Sequence, residues 1–140
     1  MKRFGVISLL VLAGFCTAGV AKAQDRQVRA TVPFDFVVAG KQLPSGNYEF
    51  LTQSNGTTIL IRNGSQQMFV LTAADDTGRV TNYASRLVFY KYGDHYFLRE
   101  IHCPSIAVNA DFPQSKQEKQ LRQNMAWLGP DTVLLALNGN

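Results

Sequence analysis

Outside the first 23 residues, the histidine and cysteine residues, which are common metal ligands and can pair as nucleophile and base, are His95, His102 and Cys103. His95 and His102 are seven positions apart, so on one strand they point to opposite faces, as do the adjacent His102 and Cys103. No Cys-x-x-Cys or His-x-x-x-His spacing occurs. A triad of Ser105, His102 and Asp111 lacks the Gly-x-Ser-x-Gly turn that presents a nucleophile. We therefore expect no catalytic residue, no metal and no cofactor.

Aromatic side chains give a better candidate site, because Phe89, Tyr90, Tyr92, Tyr96 and Phe97 fall within nine residues. In a hairpin turning at Gly93-Asp94, Tyr90, Tyr92 and Phe97 share one face and Phe89 and Tyr96 share the other. Aromatic rings on a sheet can bind sugars, peptides or lipids, so Tyr90, Tyr92 and Phe97 are the predicted ligand-binding residues. The alternative is that one face belongs to the core and the other lies under a helix.

The hairpin itself is predicted from its turn. A two-residue loop beginning with Gly93 is typical of a type II′ turn between strands at residues 85–92 and 95–102. Counting outward from this turn, we expect the pairs Tyr92/His95, Lys91/Tyr96, Tyr90/Phe97, Phe89/Leu98 and Val88/Arg99.

Alternating apolar residues predict the other strands. Residues 28–38 place six apolar side chains on one parity, interrupted by Pro33, which favours an edge or a bulge. Further strands are predicted at residues 48–53, 58–62, 67–73 and 132–137, and a loop from Pro104 to Pro113. About seven short strands indicate a mainly β fold, either an antiparallel sandwich or a small barrel.

One helix is predicted near the C-terminus. Ser115 and Glu118 have the spacing of a capping box, in which the serine caps the amide of the glutamate and the glutamate reaches back. The helix is expected to run to about Trp127, with Leu121, Met125 and Leu128 as its apolar stripe, before Gly129-Pro130 ends it.

The N-terminus indicates export. Met1-Lys2-Arg3 is basic, residues 4–20 are apolar or small, and Ala21-Lys22-Ala23 has the pattern that a signal peptidase cleaves. We expect a signal peptide at residues 1–23, cleavage before Gln24, and one β-rich domain at residues 24–140, in the periplasm or outside the cell. A membrane anchor is one alternative for residues 4–20 and a lipoprotein modified at Cys16 is the other, but the cleavage pattern favours a mature chain without a stable membrane span.

Removing the leader changes the charge and the cysteine count. Lys2, Arg3 and Lys22 leave with it, so 11 basic residues remain against 10 acidic ones. This balance argues against nucleic acid as a partner, which would require a basic patch. Cys103 stays as the one cysteine, so an internal disulfide is excluded and burial is its expected role.

Two blocks of the sequence resemble a group of small bacterial proteins with secretion signals and no assigned function. The first runs from Val32 to Phe50 and has the pattern PF-x-F-x-V-x-G-x-x-LP-x-G-x-Y; the second is the hairpin from Ser85 to Leu98. The resemblance implies export and a compact β domain, and it brings no activity.

Three functions remain open from the residues. The first is an exported, non-catalytic binding or structural module whose partner is an envelope component or polymer. The second is a small β-barrel that carries an apolar ligand, with the aromatic hairpin as its cavity wall. The third is a hydrolase, which would need a cleft joining His102 with Glu100 or Asp111.

Overall fold

A computed structural model of the chain describes residues 26–64, 66–74, 84–106 and 108–139. The predicted leader at residues 1–23 lies outside the described residues. Within them the chain is mainly β, as its alternating pattern predicts. The strands are β1 (Arg26–Val32), β2 (Phe36–Val38), β3 (Lys41–Leu43), β4 (Gly46–Thr52), β5 (Thr58–Asn63), β6 (Gln66–Leu71), β7 (Ala73–Ala74), β8 (Arg86–Tyr92), β9 (His95–Cys103), β10 (Val108–Asp111), β11 (Asp131–Ala136) and β12 (Asn138–Gly139), and the helix is α1 (Lys116–Asn124).

The strands form two sheets. The first is antiparallel, with five strands in the order β12-β1-β4-β5-β6, and the main path of the second is β11-β8-β9-β10-β7. β2 joins the second sheet through a parallel pairing of Val37 with Phe97, and β3 pairs with β2. Among the strands that the structure describes, neither sheet closes on itself, so the two predicted alternatives resolve in favour of the sandwich.

More strands occur than the seven predicted, since the described residues contain twelve. The additional strands β2, β3, β7, β10 and β12 have between two and four residues each. Strands this short contain too few residues for the alternation of apolar and polar side chains to be recognised in the sequence. β10 corrects the predicted loop before Pro113, because Val108 pairs with Cys103 and Asp111 with Glu100.

Pro33 divides the predicted strand at residues 28–38. β1 ends at Val32 in the five-stranded sheet, and β2 begins at Phe36 in the other sheet. A proline cannot donate a ladder hydrogen bond, so the chain leaves one sheet where Pro33 stands. Asp35 holds this crossing in place, because its Oδ1 accepts a hydrogen bond of 2.8 Å from the Ser45 amide.

The β8–β9 hairpin forms as predicted near its turn and departs from the prediction further out. Gly93 has φ 60°, as a type II′ turn requires, and the pairs from Tyr92/His95 to Phe89/Leu98 are those expected. The next pair is Val88 with Glu100 instead of Arg99. A β-bulge therefore leaves Arg99 without a cross-strand partner in this ladder.

One apolar core joins the two sheets. Inward positions of β1, β4 and β5 meet inward positions of β2, β8, β9 and β10 in a single buried cluster. Phe89 lies in this cluster with its ring 5.2 Å from that of Phe34 and 5.4 Å from that of Phe36. The cluster also contains Leu137, at the point where the chain passes from β11 in one sheet to β12 in the other.

The helix begins as predicted and ends earlier. Ser115 Oγ accepts a hydrogen bond of 3.0 Å from the Glu118 amide, which confirms this half of the capping box. α1 stops at Asn124 instead of near Trp127, with Met125 as its C-cap. Leu121 and Met125 pack inward, but Leu128 is 66% exposed and does not belong to the apolar stripe.

Candidate functional site

The predicted ligand-binding residues lie between the β8–β9 hairpin and α1. Tyr92 and Phe97 are 2% and 1% exposed, with ring centroids 5.9 Å apart at 73°. They form a second apolar cluster with Val37, against which Leu121 and Met125 of the helix pack. The helix thus covers this face, so a ligand would reach Tyr92 or Phe97 only if α1 moved. Their ligand-binding role stays a prediction.

Tyr90 lies at the border of this cluster and is half-buried. The Arg99 guanidinium lies over its ring, with Cζ 5.9 Å from the ring centroid. Burial raises the pKa of the Tyr90 hydroxyl, and the nearby Glu100 carboxylate raises it further. Tyr90 therefore stays protonated and presents a hydroxyl group beside a cation.

Arg99 also faces Glu118, a buried acid on α1. Arg99 Nη1 lies 3.6 Å from Glu118 Oε2, and the glutamate is 1% exposed. Burial raises the pKa of Glu118, while Arg99, the Ser115 backbone and Arg122 act to lower it. Because 3.6 Å exceeds ordinary hydrogen-bond distance, Arg99 offsets the desolvation of the carboxylate only in part. This contact joins α1 to the hairpin at a buried position.

His102 contacts Glu100 on the same strand, with Nε2 2.8 Å from Oε2. The adjacent Cys103 points the other way into the core, where it is fully buried as predicted and its Sγ lies 3.2 Å from Ser85 Oγ. His102 and Cys103 are therefore not brought together. The Ser105 side chain lies outside the described residues, and no cluster of three or more potential metal ligands occurs among those that are described.

The opposite aromatic face of the hairpin belongs to the main core. Phe89 is completely buried, and Tyr96 packs against the core with its ring stacked on Phe34 at 3.9 Å between centroids. Lys91 Nζ lies 5.4 Å from the centroid of the Tyr96 ring. Neither face of the hairpin is thus an open aromatic surface in the described part of the chain.

An open polar groove crosses the outer face of the five-stranded sheet instead. Consecutive register positions on its five strands are held by polar residues: Asn138, Arg29, Glu49, Arg62 and Gln67. Arg29 Nε donates to Glu49 Oε1 at 3.1 Å, and Arg62 Nε lies 3.3 Å from Oε2. Two cations thus flank one carboxylate, which leaves an excess of one positive charge.

The groove continues toward the end of the sheet where Thr31 and Asn47 pair. Thr31 Oγ1 donates to Asn47 Oδ1 at 2.6 Å, and both side chains are exposed. The space above these residues has a volume of about 770 Å³ and also touches Gly64. This volume falls within the range of small-molecule sites, and its lining is rich in hydrogen-bonding groups.

An apolar row lies next to the polar one on the same outer face. Leu51, Leu60 and Phe69 occupy consecutive register positions on β4, β5 and β6. Phe69 is 62% exposed, and Leu51 and Leu60 are half-buried. The face therefore offers hydrogen-bonding groups along one row and a short apolar edge along the next.

Sequence reasoning missed this groove, although one signal was present. In β1 the polar residues Arg29 and Thr31 alternate with buried apolar residues. In β4 the polar residues Asn47 and Glu49 lie on either side of the buried Tyr48. Which of these side chains lie side by side depends on strand register. β1 and β4 are separated by two other strands in the sequence, so local patterning does not give that register.

Comparisons with family models, curated proteins and solved structures found no match to this chain. Among the described residues, α1 is too short and too polar to cross a bilayer, and no other α-helix occurs there. The functional argument therefore depends on the chain's own residues.

Proposed function

We propose that this chain is an exported, non-catalytic binding module of the bacterial cell envelope, and that the polar groove holds its ligand. The observation that carries the proposal is the uninterrupted polar row from Asn138 to Gln67, which crosses all five strands on an open face. The basic, apolar and Ala-x-Ala segments of residues 1–23 support the export step.

The dimensions of the row favour an extended ligand. Five neighbouring strands are about 4.8 Å apart, so the row is about 19 Å long. Arginine and asparagine donate hydrogen bonds, Glu49 accepts them, and the charge excess at Arg29 and Arg62 favours acceptor groups that carry negative charge. A polymer rich in hydroxyl, amide and carboxylate groups fits this pattern.

The other two functions have less support. A carrier of an apolar ligand was predicted with a closed barrel, whereas both sheets are open in the described part of the chain and α1 covers Tyr92 and Phe97. A hydrolase would use the contact between His102 and Glu100, and Asp111 is the register neighbour of Glu100. The sequence, however, has no Gly-x-Ser-x-Gly turn to present a nucleophile beside them.

The test uses protein recovered from the envelope fraction of an expressing bacterium, with its N-terminus sequenced. We expect the first residue to be Gln24, and the processed protein to co-sediment with isolated peptidoglycan sacculi. The double variant Arg29→Gln/Arg62→Gln is expected to bind about tenfold more weakly, because hydrogen bonds to charged groups are lost.

The matched control is Lys41→Gln/Lys119→Gln, which removes two exposed cations outside the groove. It is expected to bind as the unmodified protein does. Equal binding by the groove variant, or no binding of the unmodified protein, would contradict the groove as a polymer site. An unprocessed chain retained in the cytoplasm would contradict the export step separately.

A further inference from the structure

The exposed side of α1 carries only positive charge. Lys116, Lys119 and Arg122 are exposed, and their spacing of three residues places them along about a third of the helix circumference. Glu118 is the one acid between Pro113 and Pro130, and it is turned inward against Arg99. Arg122 also acts on the buried Glu118 carboxylate, but no acid lies on the exposed surface of the helix.

Two large apolar side chains follow this helix and are left in water. Trp127 is 83% exposed and Leu128 is 66% exposed, whereas Leu121 and Met125 pack inward against the hairpin. Tryptophan has an apolar ring system and a polar N–H, a combination that favours the boundary between lipid and water. Exposure of both residues next to a cationic helix marks an interaction surface.

We propose that residues 116–128, here called the docking segment, bind the surface of an anionic lipid bilayer. The cations face the lipid headgroups, while Trp127 and Leu128 enter the boundary with the acyl chains. This is surface attachment without a membrane span, and it uses a part of the molecule separate from the polar groove. It does not depend on what the groove binds.

The docking segment carries both positive charge and exposed apolar side chains, and this combination favours a lipid surface over a soluble acidic partner. Such a partner would satisfy Lys116, Lys119 and Arg122 but would leave Trp127 and Leu128 in water. Two exposed acids lie near the segment: Asp94 at the hairpin tip beside Met125, and Asp131, which follows the segment and pairs in register with Lys91. They reduce the positive charge of Lys116, Lys119 and Arg122 without cancelling it. An anionic bilayer offers opposite charge and an apolar layer at the same surface.

The helix is already held in a position that suits this contact. The Arg99–Glu118 ion pair and the packing of Leu121 and Met125 attach its inner side to the hairpin, so its outer side is presented without unfolding. A helix of nine residues would be marginal alone in water. The protein therefore supplies the order that an isolated peptide would have to gain on binding.

The experiment uses the fluorescence of Trp127, which is the only tryptophan in the chain. The processed protein is titrated with vesicles that contain phosphatidylglycerol and, in parallel, with vesicles of phosphatidylcholine alone. We expect a blue shift of the emission and co-sedimentation with the anionic vesicles only. Both effects should weaken as salt is raised, because salt screens the attraction. If an uncleaved leader caused the vesicle binding instead, Trp127 would stay in water and its emission would not shift.

Variants separate the two parts of the docking segment. Lys116→Gln/Lys119→Gln is expected to weaken binding to anionic vesicles about 25-fold, at about fivefold for each cation. Leu128→Ser should reduce the blue shift. Lys41→Gln removes one exposed cation outside the segment and serves as the control, with no more than a twofold change expected. All of these positions are exposed or outside the core, so folding is preserved.

Three results would overturn the proposal. The first is an absence of any blue shift with anionic vesicles, and the second is equal binding to both kinds of vesicle. The third is tighter binding to soluble polyglutamate than to the vesicles, which would make the segment a site for an acidic polymer. Loss of sacculus binding by the groove variant has no bearing on these outcomes.

Discussion

Glu118 is the charged residue most completely removed from water among the residues that the structure describes. Its carboxylate is buried, and the cations that act on it are Arg99 on β9 and Arg122 on its own helix. Burial raises the pKa of the nearby Tyr92 hydroxyl, and the Glu118 carboxylate raises it further. Desolvation is the largest influence on Glu118 and raises its pKa above the ordinary value.

This raised pKa predicts how stability changes with pH. The folded protein holds the Glu118 proton more tightly than the unfolded chain does, so protonation stabilises the fold at low pH. That contribution is lost as pH rises from the ordinary glutamate range through the raised pKa. We expect Glu118→Gln to become more stable relative to the unmodified protein as pH rises.

Denaturant unfolding of both proteins over a pH series measures this difference directly. Other titrating groups are common to the two proteins and cancel when the free energies of unfolding are subtracted. The opposite trend, with Glu118→Gln losing relative stability as pH rises, would mean that the attraction of Arg99 and Arg122 outweighs desolvation.

At the scale of elements, the bulge in β9 connects the hairpin to the helix. Val88 pairs with Glu100 and Phe89 with Leu98, so Arg99 is the inserted residue. Its carbonyl accepts a hydrogen bond of 2.7 Å from the Phe112 amide, between β10 and α1. The extra residue therefore uses its backbone to hold the approach to the helix and its side chain to pair with Glu118.

Ser115 caps the N-terminus of α1 and should stabilise the fold. Ser115→Ala removes the acceptor for the Glu118 amide at the start of α1 and is expected to cost about 1 kcal/mol of stability. Ser45→Ala is the control, because Ser45 is exposed and its described hydrogen bond to Asp35 uses the backbone amide. Thermal unfolding compares the two variants. An equal effect of both substitutions would exclude a capping role for Ser115.

For the whole molecule, Phe89 belongs to the core that both sheets share. Phe89→Ala is expected to lower the free energy of unfolding by about 3–5 kcal/mol, because it removes a buried ring and leaves a cavity. Phe69→Ala removes the same side chain at a position 62% exposed and is expected to change stability by less than about 0.5 kcal/mol.

Chemical denaturation followed by far-ultraviolet and by near-ultraviolet circular dichroism checks this prediction, because the near-ultraviolet signal comes from buried rings such as Tyr48 and Phe89. One shared core predicts that the two signals change together in a single transition. Separate transitions, or similar losses for Phe69→Ala and Phe89→Ala, would show that the sheets do not depend on a common core.

Features that depend on neighbouring residues could be predicted. Gly93-Asp94 determined the hairpin turn, and Ser115 with Glu118 determined where the helix begins. The chain leaves β1 at Pro33 because proline has no backbone N–H to donate to the strand ladder. The bulge at Arg99 could not be predicted, because counting from the turn assumes an uninterrupted ladder. α1 ends earlier than the sequence indicated, and its C-cap Met125 packs against the hairpin.

The candidate sites divide in the same way. The sequence alone determined the mainly β class, the export signal pattern, the turn chemistry and the aromatic cluster of the hairpin, because each depends on residue types a few positions apart. The tertiary structure decided that α1 covers Tyr92 and Phe97, and that Arg29, Glu49 and Arg62 meet in one polar row. Those contacts join strands and a helix that are distant in the chain, and their register is set by packing across the common core.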